Sequence, residues 1–281
     1  MLVVTWNVNS LRARLPRVLE LLARHRPDVV CLQETKCRHD QFPLAEIAAA
    51  GYAAAHHSAG PWAGVALLVR AAPSAAPPDG ADPGDGPSAA AGPDGSLHDT
   101  VVGLSGEPVV EEARWLEATV AGVRVISTYV PNGRSLDSPE FPRKLAFLEA
   151  AARRIGTLRA AGMPIILAGD LNIAPQDRDL YDPAVFADGT HVTNEERSRL
   201  AAIEKAGGLL DAYRHRHPET QQFTWWDYRA GHFHKGLGLR IDLVLISASL
   251  APRLRECGID RDFRKGPRPS DHAPLLVRLD D

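Results

Sequence analysis

The chain has 281 residues, of which 44% are hydrophobic and 24% are charged, a composition ordinary for a folded globular protein. Its formal net charge of -3 gives no support to a general polyanion binder, so any nucleic-acid surface has to be a local basic patch. The three cysteines, Cys31, Cys37 and Cys257, are too irregularly spaced for a disulfide framework or a structural zinc site. No segment reaches the roughly 18 apolar residues of a membrane span, and the N-terminus lacks a signal-peptide pattern, so a cytoplasmic location is expected.

Apolar patterning along the chain predicts strands that alternate with helices. The predicted strands cover residues 1–7, 27–34, 64–70, 164–172, 239–247 and 272–279, and residues 114–131 form a hairpin that turns near Ala121 and Gly122. Helices are predicted over 15–25, about 139–161 and 194–207, the last with Asn194 as its N-cap and Gly207 as its stop. Many strands with helices between them favour a layered α/β or α+β fold.

The stretch from about residue 71 to residue 98 lacks the apolar pattern of a strand or a helix. It consists mostly of Pro, Gly, Ala, Asp and Ser, and it has no large apolar side chain before residue 97. Such a composition cannot bury enough surface to offset its ordering entropy. We therefore predict a flexible surface insertion between two strands of a single domain that spans residues 1–281.

Polar residues stand at the ends of six predicted strands. They are Asn7 and Asn9, Glu34, Tyr129 and Asn132, Asp170 and Asn172, Asp242, and the pair Asp271 and His272. One such residue is usually a solvated strand end, but six sets indicate a shared rim where an active site collects. Carboxylate and amide oxygens suit Mg²⁺ or Mn²⁺, and a histidine among carboxylates can help to polarise a phosphodiester and activate a water.

Six strings carry a resemblance to a known family. The strings "WNVNSLR", "PDVVCLQETK", "YVPNG", "GDLNIAP", "RIDLVL" and "SDHAP" resemble, in this order, the motifs of the endonuclease/exonuclease/phosphatase superfamily. The strings "WWDYR" and "LGLRIDL" narrow the resemblance to the bacterial exonuclease III and abasic-site endonuclease family. This resemblance implies an α+β, deoxyribonuclease-I-like fold: a four-layer α/β sandwich of two facing, mainly antiparallel sheets flanked by helices.

The same resemblance implies roles for individual residues. Glu34 matches the principal metal ligand, with Asn7 beside it and Asp271 sharing the metal site, and the expected ion is Mg²⁺, with Mn²⁺ as an alternative. Five residues match catalytic positions: Asp170 orients or deprotonates the attacking water, Asn172 holds that water or a phosphate oxygen, His272 contacts the scissile phosphate, Asp242 holds His272, and Tyr129 hydrogen-bonds the phosphate.

Substrate contacts are expected around the aromatic string. Trp225, Leu239 and Ile241 are candidates for an apolar pocket that holds a flipped abasic sugar, and one of Trp225 and Trp226 is expected to be a core residue. Three polar side chains are further candidates for contacts with DNA, although solvated surface is an equally good interpretation of the last two: Asn132, Arg114 and Lys36.

The implied activity is that of a Mg²⁺-dependent DNA repair phosphodiesterase. It would cleave 5' to abasic sites in double-stranded DNA and would act on 3' ends as an exonuclease and end-cleaning enzyme. Two alternatives share the fold: a catalytically silent nucleic-acid-binding regulator, and a phosphatase acting on lipid or inositol phosphates. The set of catalytic residues argues against the first, and the aromatic string argues against the second. We expect a monomer with no membrane partner.

Overall fold

The computed structural model of the protein describes residues 1–71 and 96–280. Its strands are β1 (Leu2–Asn7), β2 (Val29–Gln33), β3 (Tyr52–His57), β4 (Val65–Arg70), β5 (His98–Val102), β6 (Trp115–Val120), β7 (Val123–Tyr129), β8 (Ile165–Asp170), β9 (Leu209–Asp211), β10 (Asp242–Ser247), β11 (Leu254–Ile259) and β12 (Leu275–Leu279). Its α-helices are α1 (Leu11–His25), α2 (Leu44–Ala49), α3 (Glu140–Ala160), α4 (Asn194–Gly207), α5 (Ala212–Arg216) and α6 (His232–Lys235). Short 3-10 helices include Arg229–Gly231 and Arg261–Arg264.

The strands form two six-stranded sheets built on the same plan. The first sheet has the order β11-β12-β1-β2-β4-β3, and the second has the order β5-β6-β7-β8-β10-β9. In each sheet the two central strands are parallel, β1 with β2 and β7 with β8, while the other neighbours are antiparallel. The carboxyl ends of each parallel pair therefore lie at one edge of their sheet, which is where polar residues follow the strands.

Three apolar clusters define the layers. The largest lies between the sheets and joins residues such as Val3 and Cys31 of the first sheet to Val125 and Ile166 of the second. Another lies under α1 and α2 on the outer face of the first sheet. A third lies under α3 and α4 on the outer face of the second sheet. The predicted four-layer sandwich of two mainly antiparallel sheets is confirmed.

The hairpin and the helix α4 follow their predicted bounds, but the caps of α4 differ from the prediction. Ala121 and Gly122 both have positive φ, 47° and 77°, as a tight two-residue hairpin turn requires. Helix α4 is capped by Thr193 rather than by the predicted Asn194, because Thr193 and Glu196 exchange hydrogen bonds in a capping box. Its C-cap is Gly208, which takes the left-handed conformation that the predicted stop, Gly207, does not.

Two predicted strands begin too early in the sequence. Strand β12 starts at Leu275 rather than at His272, because Pro274 has no N–H to donate to the ladder. Asp271 and His272 therefore precede the strand and lie on a loop. Strand β10 starts at Asp242 rather than at residue 239, and Leu239 instead forms isolated bridges.

Helix α1 begins at Leu11 rather than at residue 15, since the Ser10 side chain accepts from the Ala13 N–H and caps the helix there. Pro16 consequently lies inside the helix and not in its first turn. Strands β3, β5, β9 and β11 were not predicted, and all four are edge strands, in which one side of the ladder is unpaired and the apolar pattern is weak.

The predicted flexible insertion lies almost entirely outside the described residues, and its expected end at residue 98 is the first residue of β5. None of the helices within residues 1–71 and 96–280 combines the length and apolarity that a bilayer crossing requires.

Candidate active site

Polar residues from both sheets meet in one cavity. Its volume is about 190 Å³, and its lining residues are Glu34, Tyr129, Asn132, Asp170, Asn172, His191, Trp225, Leu239, Ile241, Asp271 and His272. The first sheet contributes through the residues that follow β2 and precede β12, and the second contributes through the ends of β7, β8 and β10. The cavity therefore exists only when the two sheets pack against each other.

His272 lies between two carboxylates at the centre of the cavity. Asp170 and Asp242 are direct partners across the antiparallel pair β8–β10, so their side chains project side by side. The Nδ1 atom of His272 lies 2.8 Å from Oδ2 of Asp242, and its Nε2 atom lies 3.7 Å from Oδ2 of Asp170. All three side chains are buried, so this arrangement of charges is shielded from bulk water.

The proximity of these charges shifts the pKa values of the group. Burial alone would lower the pKa of His272, but the carboxylates of Asp242 and Asp170 outweigh it and raise that pKa well above its ordinary value. Burial also raises the pKa of Asp170, and repulsion from Asp242 and Glu34 adds to the rise while His272 opposes it. At neutral pH His272 is therefore a cation, and Asp170 can exchange a proton more readily than an exposed aspartate.

Glu34 and Asn7 connect the first sheet to Asp170. The Asn7 amide donates to Oε1 of Glu34 at 2.7 Å and to Oδ2 of Asp170 at 2.9 Å. Lys36 lies 2.6 Å from the other carboxylate oxygen of Glu34. Glu34 and Lys36 have φ values of 51° and 47°, in the left-handed region that non-glycine residues seldom adopt. Such a backbone persists where surrounding contacts hold it, and here it turns the Glu34 carboxylate into the cavity.

Asn172 has the same backbone feature on the second sheet. Its φ is 51°, and its N–H donates to Oδ1 of Asp170 at 2.9 Å. The Asn172 amide group donates to the Val130 carbonyl and accepts from Asn132 at 3.2 Å. Burial, together with the charges of Glu34 and Asp170, raises the pKa of the neighbouring Tyr129 well above its ordinary value. Tyr129 therefore remains a neutral hydroxyl.

Asp271 lines the cavity but is held by neutral donors. Its carboxylate accepts from the Asn9 amide at 3.0 Å and from the Trp225 indole at 3.2 Å. Burial would raise the pKa of Asp271, but the charge of His272 and these two hydrogen bonds outweigh it and lower that pKa. Asp271 thus adds a permanent negative charge to the rim of the cavity.

Apolar side chains form the remaining wall. Trp225 pairs in isolated bridges with Leu239 and with His272, which joins the aromatic segment to the loop before β12. Leu239 and Ile241 are buried and belong to one small apolar cluster, against which Trp225 packs. Trp226 is fully buried, as expected for one of the two tryptophans. The three predicted apolar contact residues are therefore brought together at the cavity.

The two predicted basic contact residues lie differently with respect to the cavity. Lys36 is at its edge through its ion pair with Glu34. Arg114 is not among the lining residues, and its guanidinium stacks on the Tyr129 ring at 4.6 Å while donating to the Tyr129 carbonyl. Arg114 is thus placed behind a catalytic candidate rather than beside the space for a substrate.

Three residues near the cavity had no role predicted from the sequence. His191 lines it and contacts the Asn172 carbonyl through Nδ1, and burial lowers its pKa well below the ordinary value. Asn9 was noted at the end of the first strand but given no role. Lys144, from α3, is fully buried, pairs with Glu196 and donates to the Asn172 carbonyl at 2.7 Å. A lysine in a helix is normally exposed, so only its tertiary contacts could have identified it.

The donor set fits a divalent cation. Within residues 1–71 and 96–280, Glu34, Asp170 and His272 offer ligand atoms that lie within 4.8 Å of one another. The carboxylates of Asp242 and Asp271 add further negative charge, and among the described residues only Lys36 and a protonated His272 form ion pairs with the four carboxylates, which leaves an excess of negative charge. In the same part of the chain, one buried carboxylate oxygen of Asp242 has no hydrogen-bond partner. Hard oxygen atoms with excess negative charge are what Mg²⁺-type ions prefer.

The fold and this cavity together define a hydrolase of phosphate esters. Residues 4–272 match the endonuclease/exonuclease/phosphatase family, and the chain belongs to that family. Its members depend on divalent metal ions, in agreement with the acidic cluster.

Individual relatives agree with this assignment. The chain is 30% identical to exodeoxyribonuclease III of Haemophilus influenzae, over 98% of each chain. It resembles the structure of a 3' phosphatase from Neisseria bound to a product DNA hairpin, with 36% identity, a TM-score of 0.89 and full coverage of both chains. It also resembles an AP endonuclease from Archaeoglobus fulgidus, with 30% identity, a TM-score of 0.88 and the same coverage.

Proposed function

We propose that this protein is a Mg²⁺-dependent DNA repair phosphodiesterase, which incises double-stranded DNA 5' to abasic sites and removes nucleotides or blocking groups from 3' ends. The observation that carries the proposal is the position of His272 between Asp242 and Asp170, beside Glu34, in a cavity formed by both sheets. Relatives that include exodeoxyribonuclease III, a 3' phosphatase and an AP endonuclease support DNA as the substrate.

Asp170 and Asn172 prepare the attacking water. The water oxygen forms a bond to phosphorus, the bond from phosphorus to the leaving oxygen breaks, and the proton of the water passes to Asp170. The raised pKa of Asp170 suits this role, since a base works best when its pKa is near the operating pH. Tyr129 does not compete as the base, because its pKa is raised and its hydroxyl stays protonated. It instead donates a hydrogen bond to the phosphate.

His272 stabilises the charge that develops on the phosphate. The hydrogen bond from Nδ1 to Asp242 fixes the ring, and its cationic Nε2 side faces the reacting group. Glu34, with Asn7 and Asp271 nearby, would hold a Mg²⁺ ion, which would supply Lewis-acid polarisation of a phosphate oxygen. Mn²⁺ would satisfy the same oxygen donors.

The apolar wall selects the sugar. A cavity of about 190 Å³ lies below the roughly 300 Å³ at which pockets for drug-sized ligands begin, so it admits a sugar phosphate more easily than a whole nucleotide. Trp225, Leu239 and Ile241 would contact a deoxyribose that carries no base. Asn132 would contact the phosphate, and Lys36 would contact the DNA backbone at the cavity edge. Arg114 would affect the substrate through its contact with Tyr129.

A 3'-end-processing enzyme with little abasic-site activity is the second candidate. The identity of 36% to the Neisseria 3' phosphatase, against 30% to the archaeal AP endonuclease, favours it.

A monomer in a cytoplasmic compartment remains a prediction. The three cysteines are buried and unpaired, in keeping with a reducing compartment.

The test uses two labelled duplexes, one with a single abasic-site analogue and one with a 3'-phosphate, each beside an intact duplex. Incision immediately 5' to the analogue with Mg²⁺, and none with chelator, is the expected result. Phosphate release without incision would leave the second candidate. If neither duplex reacts, and the Asp170→Asn variant behaves like the parent protein, the phosphodiesterase proposal is wrong.

A further inference from the structure

A second concave surface, which we name the Tyr228 cleft, lies beside the reaction cavity. Its volume is about 320 Å³, and Tyr228, Phe233, Arg264, Lys265 and Pro269 are among its lining residues. Both of its walls continue into the reaction cavity, since Tyr228 follows Trp225 by three positions and Pro269 precedes Asp271 by two. Three residues of chain span at most about 10 Å, so the cleft lies within one or two nucleotides of the reacting phosphate.

The two segments that form the cleft are strongly basic. Residues 227–235 and 261–268 together contain six Lys and Arg residues and two Asp residues, in a chain whose net charge is -3. This is the local basic patch that the overall charge of the chain requires of any nucleic-acid binder. The patch is interleaved with aromatic rings, a combination typical of surfaces that bind single strands.

Arg264 places a positive charge under the cleft. Its side chain is only 6% exposed, and its guanidinium stacks at 5.4 Å from the Tyr228 ring and 5.0 Å from the Phe233 ring. It donates to the backbone carbonyls of Ser270 and Trp226, but in the described part of the chain no carboxylate oxygen lies within 4.0 Å of it. Asp271 interacts with this charge only from a longer distance, and burial lowers the pKa of Arg264. A buried cation without an ion pair is costly, so an anion at the cleft would stabilise this charge.

Tyr228 provides a fixed aromatic surface above that charge. Its ring is 49% exposed, although its hydroxyl donates to the Pro269 carbonyl at 2.8 Å and accepts from Arg14 at 3.0 Å. An exposed ring that is already held in place loses little freedom when a flat group stacks on it. A nucleotide combines a flat base with a phosphate that is joined to it through one sugar, so it matches both features of the cleft.

We propose that the Tyr228 cleft binds an unpaired nucleotide of a single-stranded extension on the DNA substrate, with its base on Tyr228 and its phosphate near Arg264 and Lys265. This inference rests on the proposed function. Inside a duplex both faces of a base are covered by its neighbours, so only an unpaired base can offer a face to Tyr228. The cleft would thus give the enzyme a preference for ends that carry an extension over blunt ends.

The test compares phosphate release from a blunt duplex with a 3'-phosphate and from the same duplex with a recessed 3'-phosphate and a five-nucleotide extension of the opposite strand. For the parent protein we expect KM to be roughly tenfold lower on the recessed duplex, with similar kcat. Tyr228→Ala should abolish this difference, and Tyr228→Phe should keep it, because Phe retains the ring and loses only the hydroxyl with its hydrogen bonds to Pro269 and Arg14. Lys265→Ser should reduce the salt dependence of KM on the recessed duplex only.

Lys205→Ser is the matched control, since Lys205 is exposed on α4, outside the residues that line the cleft. Equal KM values for the two duplexes in the parent protein would overturn the inference. A Tyr228→Ala effect that is the same on blunt and recessed ends would also overturn it, because the ring would then support only the local structure. So would a Tyr228→Phe variant that behaves like Tyr228→Ala, because the hydroxyl bonded to Pro269 and Arg14, and not the ring, would then matter. If the parent protein releases no phosphate from either duplex in a full Mg²⁺ titration, the proposed 3'-end activity fails, independently of the cleft.

Discussion

The reaction cavity and a second buried cluster both hide several charged side chains, yet their charges add up differently. In the second cluster, which we name the Arg240 cluster, Arg240 and Arg214 face Asp179 and Asp211. Arg240 binds Asp179 with two nitrogen atoms, at 2.7 Å and 3.1 Å, and lies 2.7 Å from Asp211. Two positive and two negative charges cancel there, whereas the reaction cavity retains excess negative charge.

The difference separates buried charges that stabilise the fold from those that the proposed reaction would use. Balanced pairs with good geometry fix the loops that carry them and need no ligand. An unbalanced set is unfavourable until a cation or a substrate joins it, so its presence indicates binding. The two clusters are close in sequence, since Arg240 and Asp242 are only two positions apart. Residue composition alone does not distinguish the two clusters, but the ion pairs that their side chains form do.

The largest expected effect comes from removing one charge of the reaction cavity. Asp170→Asn should lower kcat on the 3'-phosphate duplex by roughly 10³-fold or more, because the base for the water is lost. The same change should raise the melting temperature in chelator, since the raised pKa of Asp170 means that its charged form opposes folding. Steady-state kinetics and thermal unfolding check the two parts. Activity within tenfold of the parent protein would remove Asp170 from the reaction.

The opposite pattern is expected for the Arg240 cluster. Arg240→Met leaves Asp179 and Asp211 buried without their main partner, which should cost about 3–5 kcal/mol of unfolding free energy. Urea unfolding measures this loss, and Arg240→Lys, which keeps the charge but not the two-point contact, should lose less. The folded fraction should retain most of its kcat. A stable Arg240→Met protein would show that the balanced cluster does not hold this region together.

Divalent ions should relieve the imbalance in the reaction cavity. Addition of Mg²⁺ at about 100 times its dissociation constant should stabilise the native protein by about 2.7 kcal/mol. Glu34→Gln should remove most of this gain, because it takes away a carboxylate of the cluster. Thermal unfolding with Mg²⁺ and with chelator provides the measurement. An equal gain in the parent protein and in Glu34→Gln would place the ion elsewhere.

The smallest effect concerns a carboxylate next to the Arg240 cluster. Burial first, and then the charge of Asp211, raise the pKa of Glu204 to about 7. Because the folded pKa lies above the ordinary value, the stability contributed by Glu204 is present below about pH 4.5 and is lost as pH rises through 7. Glu204 is partly exposed, so the loss is of the order of 1 kcal/mol or less. Glu204→Gln should flatten the stability profile between pH 5 and 8, which urea unfolding at a series of pH values can detect.

Local sequence was sufficient for the residues that follow strands. Glu34 follows the apolar run of β2 and Asp170 ends that of β8, so their place at the sheet edge could be predicted from the runs alone. Asp242 begins β10, although the predicted strand over 239–247 had placed it inside. The hairpin at Ala121 and Gly122 could also be predicted from the sequence, because its turn depends on adjacent residues.

Features that depend on distant contacts could not be predicted. Lys144 is polar and lies in a helix, and its burial depends on distant partners such as Asn172 and Glu196, 28 and 52 positions away. Arg240 depends in the same way on Asp179, 61 positions away. The loop position of His272 was missed, although Pro274 gave a local signal against strand at that point. The roles of Asn132, Lys36 and Arg114 towards a substrate remain predictions.

The strand order of the first sheet has a consequence for biosynthesis. Strand β12 pairs with β1, so the segment that carries Asp271 and His272 is inserted beside the first strand of the chain after the second sheet has been made. Glu34 and Asp170 are synthesised long before this step, yet the cation that faces Asp170 is supplied only when β12 is in place. A nascent chain in which β12 has not yet been made would therefore have no nuclease activity. Catalytic activity would appear late and in a single step, when β12 pairs with β1 and completes the first sheet.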